Sequence, residues 1–110
     1  MGLIQIIVEL HLLLVMLKYQ IYQQFLPNMT FLQLHRNDFT GTVPEEVGGY
    51  VGLTTFTLHA TLISGSMPQS VCGLRDDGIP GNSGALTSLI ANCAGNIPDI
   101  ECDCCTDCRN

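Results

Sequence analysis

The sequence lacks the short patterns that mark common catalytic sites. It contains no Gly-x-Ser-x-Gly turn for a nucleophilic serine, no His-Glu-x-x-His zinc helix, no phosphate-binding loop and no dinucleotide-binding fingerprint. The acidic pair Glu45-Glu46 follows Pro44, where carboxylates favour the first turn of a helix, and it does not indicate an acid–base pair. We therefore expect a protein that is not an enzyme and needs no cofactor.

Positive charge is also scarce. Four Lys and Arg residues stand against ten Asp and Glu residues, so the 110-residue chain has a formal net charge of −6. Nucleic acids and anionic membrane surfaces attract clustered Lys and Arg side chains. Neither is an expected partner, although membrane attachment through an apolar segment stays open.

Cysteine is absent from the chain before Cys72, and all six cysteines lie in the C-terminal part. They are Cys72, Cys93, Cys102, Cys104, Cys105 and Cys108. This asymmetry predicts disulfides that close one end of a core in an oxidising compartment. Sequence alone does not choose the pairing, but the adjacent Cys104 and Cys105 should bind different partners, because a disulfide between neighbours strains the peptide.

Free thiols and a zinc site remain alternatives for the same tail. The segment Cys105-x-x-Cys108 has the spacing of half a zinc ribbon, but the second Cys-x-x-Cys pair of a ribbon is absent. We therefore predict disulfides and no metal.

A repeat is the strongest positive signal. The pairs Leu10-His11, Leu34-His35 and Leu58-His59 recur at a constant 24-residue interval and include every histidine. Residues 39–47 also superpose on residues 63–71 under the same shift, with Asn37 placed to hydrogen-bond the turn and threonine at the equivalent position of the next unit. Internal similarity at about 20 to 29 residues marks a solenoid, whose units bury their apolar faces only against neighbours.

The pattern divides the chain into three parts. Residues 29–93 carry the repeats, and the last predicted strand begins at Leu86. Leu86 lies 33 residues after Leu53, whereas the repeat interval is 24 residues. The extra residues therefore form an exposed loop at 75–84, which is rich in Gly, Pro, Asn and Asp. Residues 94–110 are a Cys-rich cap.

Residues 1–28 form an apolar segment that is a degenerate first repeat, a signal peptide or a membrane anchor. Gln5, Glu9 and His11 interrupt residues 2–17, and no small-x-small cleavage site follows. Because a solenoid needs at least about three units with caps at both ends, we expect the chain to be a fragment of a longer protein.

The segments Gly41-Thr-Val-Pro44 and Gly65-Ser-Met-Pro68 resemble the Gly-x-Ile-Pro segments of the plant-type leucine-rich repeat family. The resemblance covers about residues 29–93, and the Cys-rich tail is similar to that of leucine-rich repeat proteins from diatoms and related algae. It implies an α/β solenoid with a short parallel concave sheet, loops or short helical turns on the convex side and a disulfide-capped C-terminus. It also implies non-enzymatic recognition by the concave face at the cell surface or outside the cell.

Outward positions on the predicted strands form the candidate binding face. They are Phe31, Gln33, His35, Arg36, Thr55, Thr57 and His59. Phe and Arg are frequent at interface hot spots, so Phe31 and Arg36 are the first candidates for contact with a protein or glycan. The rival functions are a membrane-anchored receptor ectodomain fragment and a metal-binding module built on the cysteine tail.

The register places His11, His35 and His59 at one position on successive strands, about 4.8 Å apart. Two stacked histidines could share a transition metal or repel one another when protonated. The simpler interpretation is that they are solvent-facing residues duplicated with the repeat. Separately, Asn28-Met29-Thr30 is an N-glycosylation sequon, which makes Asn28 a candidate site.

Overall fold

The computed structural model describes residues 30–36, 38, 40–82 and 84–110. Its elements are, in chain order, β1 (Phe31–Gln33), β2 (Thr40–Gly41), a 3-10 helix (Glu45–Gly49), β3 (Thr55–Thr57), β4 (Leu62–Ile63), β5 (Gly65–Ser66), α1 (Gln69–Cys72), β6 (Ser88–Ala91), β7 (Ile100–Glu101) and β8 (Asp107–Cys108). The main sheet has four strands in the order β1-β3-β6-β8, and β2 with β4 and β5 with β7 form two smaller sheets. Every strand pair is parallel.

The strand register follows the repeat in the sequence. Leu32 pairs with Phe56, and Phe56 pairs with Leu89. These are steps of 24 and 33 residues along the chain. The predicted neighbouring strands, with extra residues before the last of them, are therefore confirmed. The period-2 alternation of strands turns all three of these side chains inward, and each is at most 1% exposed.

Two short helical turns follow prolines at equivalent positions. Pro44 precedes the 3-10 helix and Pro68 precedes α1, both with extended backbone. Proline is suited to this position because its missing N–H group would have no partner inside the helix. Val47 and Val71, one on each turn, are buried. The short helical turns expected after the Gly-x-x-Pro segments are thus confirmed.

The glycines of those segments have a conformational role. Gly41 has φ +95° and Gly65 has φ +98°, in the left-handed region that side chains disfavour. A residue with a Cβ atom would be strained at either position. The Gly-x-x-Pro pattern therefore bends the chain from the β2 or β5 segment into the helical turn that follows.

One apolar core joins the sheet to the helical turns. Its buried residues are Leu32, Leu34, Val43, Val47, Tyr50, Leu53, Phe56, Leu58, Ile63, Met67, Val71, Leu74, Leu86, Leu89, Ala91 and Ile100. Each unit between residues 32 and 91 supplies both strand and return-segment side chains. The core therefore lies between the strands of the main sheet and the segments that follow them.

The C-terminal cap contributes strands as well as disulfides. Ile100 is fully buried in the core and lies on β7, which pairs with β5, while β8 extends the main sheet beside β6. The disulfides are Cys72–Cys104, Cys93–Cys108 and Cys102–Cys105. The prediction of disulfides is confirmed, as is the assignment of the two adjacent cysteines to different partners. Disulfides at this density are typical of proteins from oxidising compartments.

The loop after α1 is fixed at its base. Arg75 and Leu86 form a parallel β-bridge, and the Arg75 guanidinium donates to the carbonyl oxygens of Leu86 (3.1 Å) and Cys104 (2.5 Å). Gly84 lies so close to the Leu74 backbone that no Cβ atom would fit. Residues 76–81 are exposed, as the composition predicts. The base of the exposed loop is therefore hydrogen-bonded to the C-terminal cap through Arg75.

Several predictions fall outside the described residues. They concern the apolar segment 1–28 with His11, the candidate glycosylation site Asn28, and the turn residue Asn37. Within the part of the chain that the structure describes, no helix has the length and apolar character needed to cross a membrane.

Candidate functional site

The outward side chains of the main sheet form rows across the strands. Phe31 stands beside Thr55, and Thr55 beside Ser88. The next row is Gln33, Thr57, Ile90 and Asp107. We call this surface, completed by His35, His59 and Arg109 at the carboxyl ends of the strands, the sheet face. The predicted neighbours Phe31 and Thr55, and Gln33 and Thr57, are therefore brought together.

Arg36 borders the sheet face rather than lying in a row. Its φ is +60°, and Ala60, at the equivalent position of the next unit, has φ +55°. Both residues end the extended conformation of their strands, because an L-residue in the left-handed region reverses the local path of the chain. The Arg36 N–H still donates to the His59 carbonyl (3.0 Å), and its side chain is exposed.

His35 and His59 form a stacked pair. Their ring centroids lie 4.7 Å apart and the ring planes differ by 4°. His35 Nδ1 lies 2.6 Å from Thr57 Oγ1, and this hydrogen bond fixes the orientation of the His35 ring. The stacking predicted from the repeat interval is thus confirmed for these two histidines, while His11 lies outside the described residues.

Two candidate residues differ from the expectation of solvent-facing side chains. Thr57 is 6% exposed and His59 is 9% exposed. Thr57 lies on β3 and His59 just after it, and β3 lies between β1 and β6 in the sheet. The expectation was wrong here because the His35 ring stacks on His59 and hydrogen-bonds to Thr57, so it covers both side chains.

His59 is buried without full hydrogen bonding. Its Nδ1 atom has no hydrogen-bond partner among the described residues. Burial lowers the pKa of His59 below the ordinary value of 6.5, and the positive charges of His35, Arg109 and Arg36 lower it further, while Asp107 partly opposes them. His59 is therefore neutral at neutral pH.

The stacked histidines are poorly arranged to share a metal ion. The lone pair of an imidazole nitrogen lies in the plane of its ring, so the lone pairs of two parallel rings do not converge on one ion. No group of three His, Cys, Asp or Glu side chains within the described ranges is arranged to hold a metal. The parallel arrangement therefore does not suit a metal ion shared between the two rings.

Asn92 is a structural residue that the sequence pattern did not indicate. It is 2% exposed, its Oδ1 accepts a hydrogen bond from the Ala60 N–H (2.6 Å), and its Nδ2 donates to the Thr61 carbonyl (2.8 Å). The register aligns Leu89 with Phe56, so Asn92 occupies the histidine position of its own unit. The repeat pattern expects the turn asparagine two positions later, and it therefore gives no signal for Asn92.

The hydroxyl of Thr61 satisfies the turn in its own unit. It donates to the Leu58 carbonyl (2.7 Å) and accepts from the Ile63 N–H (3.3 Å). Threonine stands here at the position that asparagine occupies in the preceding unit. Together with Asn92 it makes hydrogen bonds to backbone groups on both sides of the turn after β3.

We expect the pH dependence of stability to report the burial of His59. Its pKa is lower in the folded than in the unfolded chain, so below pH 6.5 the unfolded chain binds the proton more readily. Well above pH 6.5, protonation of His59 should not affect the free energy of unfolding. As the pH falls below 6.5, this free energy should decrease, and the decrease should stop below the pKa of His59 in the folded chain. Urea unfolding at about pH 7.5 and about pH 5 measures the change.

The matched variant for this measurement is His59→Gln, which keeps a polar side chain but does not titrate. The wild type should lose more stability between the two pH values than the variant does. Equal losses would show that His59 is as readily protonated in the folded chain as in the unfolded chain.

Searches of protein families, of curated proteins and of solved structures find no match for the chain. The resemblance to leucine-rich repeats therefore stands on the repeat pattern of the sequence itself.

Proposed function

We propose that the chain is a non-enzymatic binding module of the leucine-rich repeat type that recognises a protein or glycan outside the cytoplasm through the sheet face. The observation that carries the proposal is the strand register. It places Phe31, Gln33 and His35 beside their counterparts in the next unit, so the duplicated positions form one continuous surface.

The segments that return from each strand support a solenoid. Gly41 and Gly65 share a left-handed backbone, Pro44 and Pro68 each begin a helical turn, and those two turns pack against each other. Units that repeat both a strand and its return path can stack on further copies. We infer that the chain belongs to such an array.

The composition of the sheet face fits a binding role. Phe31, Gln33, Thr55 and Ser88 are half-buried, so each presents part of its side chain to solvent. An aromatic ring supplies apolar contact area, whereas the amide and hydroxyl groups supply hydrogen bonds that orient a ligand. The three disulfides support an extracellular or cell-surface location for this module.

Two rival proposals differ in their chemistry. A membrane-anchored receptor ectodomain would use the same sheet face, with residues 2–17 as the anchor. A metal-binding module would need the tail cysteines as thiolates, whereas all six form disulfides in the structure. Elemental analysis combined with thiol titration separates the second rival, because bound zinc with reduced cysteines would support it.

Screening the purified protein against an array of glycans and extracellular proteins tests the proposal. For any partner found, Phe31→Ala should weaken binding by about tenfold or more, since aromatic anchors dominate interfaces. The matched control is Val51→Ala, because Val51 is 75% exposed and lies outside the sheet. Binding that Phe31→Ala leaves unchanged and Val51→Ala weakens would place the interface elsewhere.

A further inference from the structure

Positive charge gathers at one end of the sheet face. Arg36 and Arg109 are two of only four Lys and Arg residues in the chain. The Arg36 N–H bonds to the His59 carbonyl, and the Arg109 N–H bonds to the Ala91 carbonyl on the neighbouring strand (2.9 Å). Both charges act on His59 strongly enough to lower its pKa. We call His35, Arg36, His59 and Arg109 the basic end.

The basic end is only partly neutralised by the protein. Asp107 forms an ion pair with Arg109 (Nε to Oδ2, 2.6 Å), and it is the acidic group within the described ranges that favours the protonated form of His59. No carboxylate pairs with the exposed Arg36 in an ion pair among the described residues. His59 itself keeps a buried Nδ1 atom without a partner in that part of the chain. An incoming anion would therefore find the exposed charge of Arg36 without an ion-pair partner in the described part of the chain, and it would act on the buried His59 ring through its charge rather than through contact.

We propose that the basic end binds a carboxylate or sulfate group of an acidic glycan. This inference rests on the proposed function and specifies the partner of the same face. A guanidinium fork matches a planar carboxylate or a sulfate, and protonation of the adjacent His59 would add positive charge beside it. With a net charge of −6, the rest of the chain repels polyanions, so binding is confined to this end.

The neighbouring rows favour a glycan over an acidic peptide. Along the strands from the basic end lie first the amide of Gln33 and, one row further, the hydroxyl of Thr55 beside the ring of Phe31 at the edge of the face. Sugar hydroxyls pair with amide and hydroxyl groups, and the apolar face of a sugar ring packs on an aromatic ring. A peptide of repeated acidic residues would need further cations along these rows, and no Lys or Arg occupies them.

Binding of an anion at this site is linked to protonation. Around His59 the charged or titratable groups are His35 and Arg36 after β1, and Asp107 and Arg109 on or after β8. In the free protein the positive groups oppose protonation of His59. A bound anion would favour the protonated form, so the pKa of His59 would be higher in the complex than in the free protein. Affinity should therefore rise as the pH falls, because the complex takes up protons that the free protein does not hold.

Isothermal titration calorimetry of the whole chain with oligogalacturonate, dextran sulfate, neutral dextran and polyglutamate tests the proposal. We expect binding of oligogalacturonate, dextran sulfate or both that tightens by about threefold to tenfold between about pH 7.5 and about pH 5.5. Neutral dextran and polyglutamate should bind much more weakly. The carboxylate and sulfate arms identify which anionic group is preferred.

Charge variants locate the site. Arg36→Gln should weaken binding by about tenfold, whereas Arg36→Lys keeps the charge and should retain most of the affinity. Asp107→Asn removes the competing carboxylate and should tighten binding, a gain that a misfolded variant would not show. His59→Gln should reduce the pH dependence. If His59→Gln does not fold, the two Arg36 variants and Asp107→Asn decide the result.

Equal binding of neutral dextran, polyglutamate binding as tight as that of the glycans, or no effect of Arg36→Gln would overturn the proposal. These outcomes are distinct from failure of the proposed function. A neutral ligand whose binding is lost in Phe31→Ala and kept in Arg36→Gln would leave the sheet face as the binding surface without an anion site.

Discussion

Replacement of both Cys72 and Cys104 by serine should lower the free energy of unfolding by roughly 3 to 4 kcal/mol, on the basis of the loop that the disulfide closes. This bridge spans 32 residues and joins the end of α1 to the cap, whereas Cys93–Cys108 spans 15 and Cys102–Cys105 spans 3. Cross-linking distant positions restricts the unfolded chain most, so this disulfide should have the largest effect of the three.

The local setting adds to this loss. The Cys104 carbonyl accepts a hydrogen bond from the Arg75 guanidinium at the base of the exposed loop, and Cys72 packs against the apolar core. Loss of the disulfide would therefore weaken both the hydrogen bond at the base of the loop and the packing of the cap on the core. Urea unfolding followed by circular dichroism measures the change in free energy.

The matched control is replacement of both Cys102 and Cys105 by serine. This bridge closes the shortest loop, so its loss should cost about 1.5 kcal/mol, less than half the effect of the long bridge. The same loss in both double variants would mean that the cap is stabilised by its sheet pairing and packing rather than by the long bridge.

Asn92→Ala should cost about 2 to 3 kcal/mol, because it removes two hydrogen bonds to backbone groups, one of them buried. The amide of Asn92 bonds to the Ala60 N–H and to the Thr61 carbonyl, and both groups belong to the turn after β3. Ala60 holds a left-handed backbone there, which costs energy that these hydrogen bonds offset. Thermal and urea unfolding measure the loss.

Asn96→Ala is the control for this prediction, since Asn96 is exposed in the cap and should change stability by less than about 0.5 kcal/mol. A second variant, Asn92→Asp, keeps the acceptor but replaces the donor with a carboxylate that faces the Thr61 carbonyl. It should also destabilise the protein. Equal stability of Asn92→Ala and Asn96→Ala would contradict this prediction. It would mean that water can hydrogen-bond to the turn's backbone groups in place of Asn92.

The repeat in the sequence was sufficient to predict the neighbouring strands. The leucines before His35 and His59 must face the same core, and a strand that slips by one residue would turn its apolar side chains outward. The register of β1 with β3 therefore follows from the repeat interval. The short helical turns follow from the positions of Pro44 and Pro68 for a similar local reason.

The strands of the cap could not be predicted in the same way. Strands β7 and β8 are very short and contain Glu, Asp and Cys, so they show no alternation of apolar and polar residues. Their position depends on long-range pairing with β5 and β6. The disulfide pairing also depends on where this pairing brings the cysteines together, which spacing along the chain does not specify.

The sequence predicts where the residues of the candidate site lie in the sheet, but it does not predict how exposed their side chains are. The stacking of His35 on His59 follows from the register, whereas the low exposure of His59 depends on how its ring packs in the folded sheet, which the repeat does not specify. Asn92 illustrates the same limit, because its partners lie on a turn of the preceding unit. Interactions between units are therefore less predictable than the path of each unit.

Nuclear magnetic resonance detection of scalar couplings across hydrogen bonds tests the stacked parallel register most directly. We expect couplings from the Leu34 amide nitrogen to the Thr57 carbonyl carbon and from the Leu58 amide nitrogen to the Ile90 carbonyl carbon, whose N···O distances are 2.7 and 2.8 Å. Couplings that instead join these amides in an antiparallel pattern, or to residues of the same helix, would contradict the parallel register.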